Sequence, residues 1–374
     1  MEVNAVRAAR LGQSMWYDNI SRDLLDSGEL TRLVAGKGVR GVTSNPTIFQ
    51  KAMTSGAAYA AEFETLARKG RGASEIYEAL AVSDIRRGAD VLRGVYDASE
   101  GKDGFISLEV SPTLAADTSG TLAEAKRLWA AVDRPNLMIK IPATPEGIPA
   151  VRAAIAAGLN VNITLIFSLA SHAKVIDAFM SGLEERVRAG KPVDRIASVA
   201  SFFVSRVDTA VDKLLDEKTK AGAANAAALR GQAAIANAKL AYELFEKEFG
   251  SPRFAALKSK GAQVQRPLWA STSTKNPAYK DTIYVDALIG PDTVDTLPPA
   301  TLDAFNDHGT AAVTIRDGLD DAKRRLRELE ALGVSMDKVC ADLLKDGVAS
   351  FAKSFADLLG AVESRRKEIA PSPR

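Results

Sequence analysis

The sequence predicts an α/β protein, a (β/α)8 TIM barrel with additional helices in its insertions and at the C-terminal end. Two observations carry this. Apolar strand-length segments alternate with amphipathic helical ones through most of the 374 residues, the pattern of parallel strands joined by helices. The strand segments number eight, near 14–18, 39–44, 105–111, 137–142, 159–165, 196–203, 266–271 and 282–288.

The intervening helices carry their own signals. Ser21 and Asp23 supply the first turn of a helix running to about Leu33, closed by Gly36 and Gly38. Thr118 to Gly120 precede a helix with apolar residues at 122, 125, 128 and 129. Ser168 opens a helix to about Arg188, ended by Gly190 and Pro192. Three segments exceed a minimal barrel. These are helical insertions at about 46–98 and 205–262 and a helical extension at about 309–366, all read as parts of one domain over 1–374. Within the second insertion, Ala223, Ala224, Ala226, Ala227 and Ala228 are helix formers. The added helices are expected to pack outside the barrel or to form a subunit contact, a homodimer being the assembly considered. Residues 365–374 are expected to fray.

Composition narrows the chemistry. With 49 basic and 47 acidic residues the net charge is +2, which argues for neither nucleic acid nor membrane as a partner. No run of 18 apolar residues occurs and the N-terminal segment is not that of a signal peptide, so a cytoplasmic protein is expected. The single cysteine, Cys340, allows no intrachain disulfide. His172 and His308 are far apart, which disfavours a metal site or a histidine triad; no cofactor is expected.

One residue stands out. Lys140 interrupts the apolar run Leu137-Met-Ile-Lys-Ile141, in a strand type that is buried on both faces. Burial disfavours an ammonium group, and a desolvated amine is a nucleophile suited to Schiff-base chemistry. The alternative is a lysine at the strand end that reaches solvent or pairs with an acid.

A parallel barrel gathers its chemistry at the C-terminal ends of its strands, and polar residues recur there: Asp18, Asn45, Glu109, Lys140, Asn162 with Thr164, Ser201 followed by Arg206, Ser271 followed by Lys275, and Asp286. Each has a structural alternative. Asp18 could cap a helix, Asn45 before Pro46 could serve a turn, and Glu109 or Asp286 could be paired acids. Arg206 could be a solvated helix residue, while Thr164, Asn162 and Ser201 could bond to backbone. Jointly they fit better as a set. Carboxylates and a hydroxyl can move the protons that imine formation requires. Amides orient sugar hydroxyls, and two cations bind a phosphate.

Five segments, Gly41 to Phe49, Ile106 to Pro112, Leu137 to Thr144, Gly158 to Phe167 and Ser201 to Asp208, resemble the motifs of transaldolases, in that family's order. The resemblance covers roughly residues 13–290 and is similar to the longer bacterial branch. It implies a Schiff-base transferase of the pentose phosphate pathway. Such an enzyme moves a dihydroxyacetone unit from sedoheptulose 7-phosphate or fructose 6-phosphate to glyceraldehyde 3-phosphate or erythrose 4-phosphate. It also implies Lys140 as the Schiff-base lysine, Glu109 and Thr164 as the proton-handling pair, and Asp18 as the acid that assists carbon–carbon cleavage. Asn45, Asn162, Ser201 and Ser271 fall on substrate-contacting positions and Arg206 on a phosphate-binding one. Lys275 stands where shorter members carry arginine. A class I aldolase releasing free dihydroxyacetone and a non-catalytic sugar-phosphate-binding barrel are the competing readings.

Overall fold

The computed structural model describes residues 2–55 and 57–369. Eight parallel strands close a barrel in sequence order: β1 (Gln13–Tyr17), β2 (Val39–Val42), β3 (Ile106–Glu109), β4 (Leu137–Pro142), β5 (Val161–Ile166), β6 (Ser198–Phe203), β7 (Arg266–Ala270) and β8 (Thr293–Leu297). β1, β4, β5, β6 and β8 are buried along their whole length, which in β4 gives an apolar run rather than an alternating one. Trp16 fills the space between β1 and β2, and Gly41 makes that possible: a Cβ there would lie 2.5–2.6 Å from the indole.

The expected eighth strand is corrected. Residues 283–287 form a short helix, Ile283–Ala287, and β8 lies further on. The β-branched and aromatic run at 282–285 resembles a strand, whereas Thr293-Val-Asp-Thr-Leu297 has three polar residues and no apolar run to mark it. Asp286 therefore sits outside the barrel mouth. It accepts hydrogen bonds from Lys280 Nζ (2.6 Å), Thr282 Oγ1 (2.8 Å) and the Thr310 amide (2.9 Å). That makes it a paired acid tying the turn before the helix Ile283–Ala287 to the segment after His308.

Caps fix the connecting helices. Ser168 Oγ accepts from the Ser171 amide (3.0 Å) to open Leu169–Arg188, as the sequence predicts. Thr118–Val132 begins earlier than its apolar periodicity, because Asp117 caps it, its Oδ1 accepting from the Gly120 amide (2.9 Å). The helix after Ser21 is split into Arg22–Asp26 and Glu29–Gly36, with Gly28 between them at φ +69°.

The alanine-rich stretch is also corrected. Residues 221–232 contain turns and one short 3₁₀ segment, Ala227–Leu229, between the helices Ser205–Lys220 and Ala233–Phe249. Gly222 (φ +90°) and Gly231 (φ +69°) break the helical path that the alanines favour.

The largest departure concerns the C-terminal helix. Met336–Ile369 does not stay on the outside; it runs across the mouth of the barrel, packing on the helices Pro46–Ser55 and Ala73–Ala98. Cys340 Sγ donates to the Phe167 carbonyl just beyond β5 (3.1 Å), and Gly347 sits against Leu165. Arg365–Ile369 are helical rather than frayed, and residues 370–374 lie outside the described residues. No described helix is long and apolar enough to cross a membrane.

A buried network fixes the segment after β1. Arg22 Nε donates to Asp84 Oδ1 (3.0 Å), Tyr59 Oη donates to Asp84 Oδ2 (2.7 Å), and the Arg22 guanidinium lies 4.7 Å from the Tyr59 ring centre. Asp84 is fully buried and Arg22 nearly so. Removing the acid leaves Arg22 only the part-exposed Glu62 as a partner (2.6 Å) and takes the acceptor from the Tyr59 hydroxyl, so Asp84→Ala is expected to cost about 3 kcal/mol in denaturant unfolding, the low end for a broken buried pair. Burial is the largest influence on the Asp84 carboxyl and raises it, against the pull of Tyr59 and Arg22.

Candidate active site

Parallel register brings the central residues together. Glu109 on β3 is paired with Lys140 on β4, Lys140 with Asn162 on β5, and Pro142 with Thr164. Lys140 Nζ lies 3.2 Å from Glu109 Oε2, with the side chains only 8% and 6% exposed. It donates to the Ser44 carbonyl (3.1 Å) and lies 5.5 Å from the centre of the Phe351 ring, which comes from the helix crossing the mouth. Burial pushes the Glu109 carboxyl up; the neighbouring Lys140 ammonium opposes this only in part.

Thr164 follows from the same register. It is buried, and its hydroxyl has no hydrogen-bond partner among the described residues. Leu165, the next residue, has φ +61°, and the β5–β6 pairing shifts register between Ile163 and Ile166. An irregularity of this kind at the rim of a barrel re-aims the adjacent side chain.

Asp18 is fixed from two strands. Its amide donates to the Leu297 carbonyl (2.8 Å), and its Oδ1 accepts from Thr43 Oγ1 (2.6 Å), which also meets Thr296 Oγ1 at 2.6 Å. Burial raises the Asp18 carboxyl, with Thr43, Lys140 and Lys275 acting against it.

A cavity of about 590 Å³ at this end of the barrel is lined by Asp18, Asn45, Lys140, Thr164, Ser201, Arg206, Ser271 and Lys275. Eight of the eleven polar candidates from the sequence therefore share one cavity. Glu109 stands behind Lys140 and lines a smaller side pocket with Tyr77 and Glu124. Asn162 links strands, donating to Ser107 Oγ (3.0 Å) and accepting from Ser201 Oγ (2.7 Å). Asn45 caps the next helix, its Oδ1 accepting from the Ile48 amide (3.0 Å), so the turn role and the cavity position coincide. Ser271, at φ +58°, is held by Ser205, whose amide donates to its carbonyl and whose hydroxyl meets its own, both at 3.0 Å.

Two cations stand at one side of the cavity. Arg206, half-buried, has its guanidinium 5.2 Å from the Phe203 ring centre, and Lys275 Nζ donates to Ser273 Oγ (2.6 Å). Burial lowers both, and for Lys275 the Arg206 charge adds to the effect. Neither forms a carboxylate ion pair within 4.0 Å among the described residues, whereas most surface arginines here do. Two neighbouring positive charges without an acid between them suit an anionic group.

A larger cavity of about 1080 Å³ opens at the other end of the barrel. It contains none of the candidates and lies at the N-terminal ends of the strands, where conserved chemistry is not built in this fold. Asp103 occupies it, bonded to Ser14, Trp16 and Arg40.

Sequence reasoning missed Thr43 and Thr296 as the orienters of Asp18, Ser44 as a carbonyl partner of Lys140, and Phe351 as a wall of the site. It also missed Asp295, fully buried on β8, which accepts from Thr272 Oγ1 (2.8 Å) and whose carboxyl burial raises strongly. Thr296 lines the cavity, so the alternation of side chains puts Asp295 on the opposite face.

Residues 15–362 match the family described as transaldolase/fructose-6-phosphate aldolase. The chain belongs to this family. It is similar to a transaldolase of Frankia alni, 53% identical over 352 residues that cover 94% of each chain. A transaldolase of Thermobifida fusca is likewise 53% identical, over 94% of this chain and 95% of its own. One of Trichodesmium erythraeum is 47% identical over 368 residues, 96% and 97% of the two. Transaldolase-family membership over nearly the whole length makes the protein an enzyme, a transferase acting through a (β/α)8 barrel.

Proposed function

We propose that the enzyme transfers a dihydroxyacetone unit from a ketose phosphate to an aldose phosphate through a Schiff base on Lys140. The observation that carries this reading is the buried Lys140–Glu109 pair at the cavity floor, at 3.2 Å. Lys140 must lose a proton before it attacks the ketose C2 carbonyl. Glu109, raised by burial, is within reach to take that proton and return it to the departing hydroxyl as water leaves. The unpartnered Thr164 hydroxyl can hold a relaying water. The iminium then draws electrons as the C3–C4 bond breaks, and Asp18 accepts the C4 hydroxyl proton. The aldose phosphate departs, the three-carbon unit waits as an enamine, and the acceptor aldehyde adds to it by the reverse steps.

Arg206 and Lys275 take the substrate phosphate; Asn45, Ser201 and Ser271 contact its hydroxyls, with Asn162 holding Ser201 in place. In the same reading the chain is one cytoplasmic barrel domain acting on small sugar phosphates. Transfer is favoured over simple aldol cleavage because Phe351 covers Lys140 and limits the approach of water to the enamine.

The test is borohydride reduction in the presence of fructose 6-phosphate, followed by peptide mapping. A three-carbon adduct on Lys140 is expected, and an adduct on another lysine, or none, overturns the assignment. Comparing acceptor-dependent turnover with release of free dihydroxyacetone separates transferase from aldolase.

A further inference from the structure

The loop between β7 and the helix Ile283–Ala287 carries Lys275, and three sets of contacts describe how it is held. Within the loop, Thr274 Oγ1 donates to the Lys280 and Asp281 carbonyls (both 3.1 Å), and Asn276 accepts from the Ala278 amide at its side chain (3.0 Å) and from the Tyr279 amide at its carbonyl (3.1 Å). These bonds tie residues 274–281 to one another. At its near end the loop is tied by Ser271 to Ser205. At its far end Tyr279 Oη donates to Asp212 Oδ2 (2.6 Å), on the helix Ser205–Lys220 that also carries Arg206.

Beneath this loop the packing is not continuous. A cavity of about 380 Å³ separates Lys275 and Asn276 from Asp212 and Asp216, so Tyr279 stands as a post between loop and helix. The post has a built seat. Asp212 is buried, and its other oxygen, Oδ1, accepts from the Gly231 amide (2.9 Å). Gly231 is in the left-handed region (φ +69°), and a Cβ there would lie 2.8 Å from the Tyr279 ring. Arg230 pairs with Asp216 (3.2 Å), holding the same turn to the same helix. The turn segment 221–232, which the barrel itself does not need, therefore contributes the surface on which Tyr279 rests.

We propose that segment 221–232 is a brace for the phosphate-binding loop, with Tyr279 and Asp212 as positioning residues that fix Lys275 at its distance from Arg206. This rests on the reading of Arg206 and Lys275 as the phosphate ligands. A lysine on an exposed loop is a flexible point charge, and holding it beside a fixed arginine removes an ordering cost that binding would otherwise bear. The brace acts on phosphate recognition, not on bond making at Lys140.

Tyr279→Phe removes the hydroxyl and leaves the ring. The expected result is a KM for fructose 6-phosphate raised about tenfold, with inhibition by inorganic phosphate weakened by the same factor and kcat changed by less than about twofold. With unphosphorylated fructose as donor, kcat/KM is expected to equal that of the parent enzyme. Asp212→Asn keeps the Gly231 amide on its one oxygen and turns its NH2 to the Tyr279 hydroxyl, which then accepts instead of donating, so it should retain most of the parent behaviour; Gly231→Ala should follow Tyr279→Phe. Lys275→Ala separates the two layers of the argument. If it loses phosphate sensitivity while Tyr279→Phe keeps it, the brace is overturned and the ligand assignment stands. If Lys275→Ala also keeps it, the ligand assignment falls and the brace with it. An equal loss toward fructose and fructose 6-phosphate in Tyr279→Phe would mean general damage to the site and likewise overturns the proposal.

Discussion

Lys140→Met eliminates covalent capture of the ketose and lowers kcat/KM by about 10⁴-fold or more, the scale expected when the nucleophile of a covalent mechanism is removed. The protein should remain folded, and its stability carries a second readout. The substitution leaves Glu109 buried beside an apolar chain. A stranded buried charge commonly costs about 3–5 kcal/mol, but Glu109 can avoid this by taking up a proton. Its carboxyl is already raised by burial, and loss of the opposing ammonium raises it further. A carboxyl raised on folding contributes stability that is full below its ordinary value and is lost as pH climbs through its folded value. Lys140→Met should therefore match the parent in thermal unfolding near pH 4 and fall progressively behind from there to pH 8. Equal melting curves at both pH values would refute the Glu109 environment described above; retained borohydride labelling at full rate would refute the nucleophile.

Asp18→Asn separates imine formation from cleavage. The amide keeps the hydrogen bond from Thr43 and the shape of the site, but it cannot accept a proton from the C4 hydroxyl. Loss of a positioned general base costs about 10²–10⁴-fold. Lys140 and Glu109 are unaltered, so the Schiff base should still form and then stall. Borohydride trapping of this variant with fructose 6-phosphate is expected to yield the intact six-carbon sugar on Lys140 instead of the three-carbon fragment. A three-carbon adduct formed at the parent rate would show that another group takes the C4 proton.

Lys140 was legible because an ammonium group conflicts with an apolar strand, and the conflict is local in sequence. Glu109 and Thr164 were legible for the same reason, as polar residues within strands whose neighbours are buried. The eighth strand was not, because Thr293 to Leu297 hides its five residues behind three polar ones that find partners only in the folded barrel, such as Thr293 with Gln13 and Asp295 with Thr272. The orientation of Asp18 by Thr43 and Thr296 joins residues some 250 positions apart, and no periodicity encodes such a contact. The alanines of 221–232 misled by propensity, which two left-handed glycines override. The long C-terminal helix was legible as a helix but not as a wall of the site. Its amphipathic pattern says that one face is buried and is silent on what lies beneath.

That helix also orders events in time. Lys140 and the carboxylates around it are all synthesised by the time β8 ends at Leu297, and Phe351 follows roughly fifty residues later, a delay of about three to ten seconds at ordinary rates of synthesis. The aromatic cover over Lys140 is therefore the last part of the site to be made, and a chain cut short before Met336 lacks it.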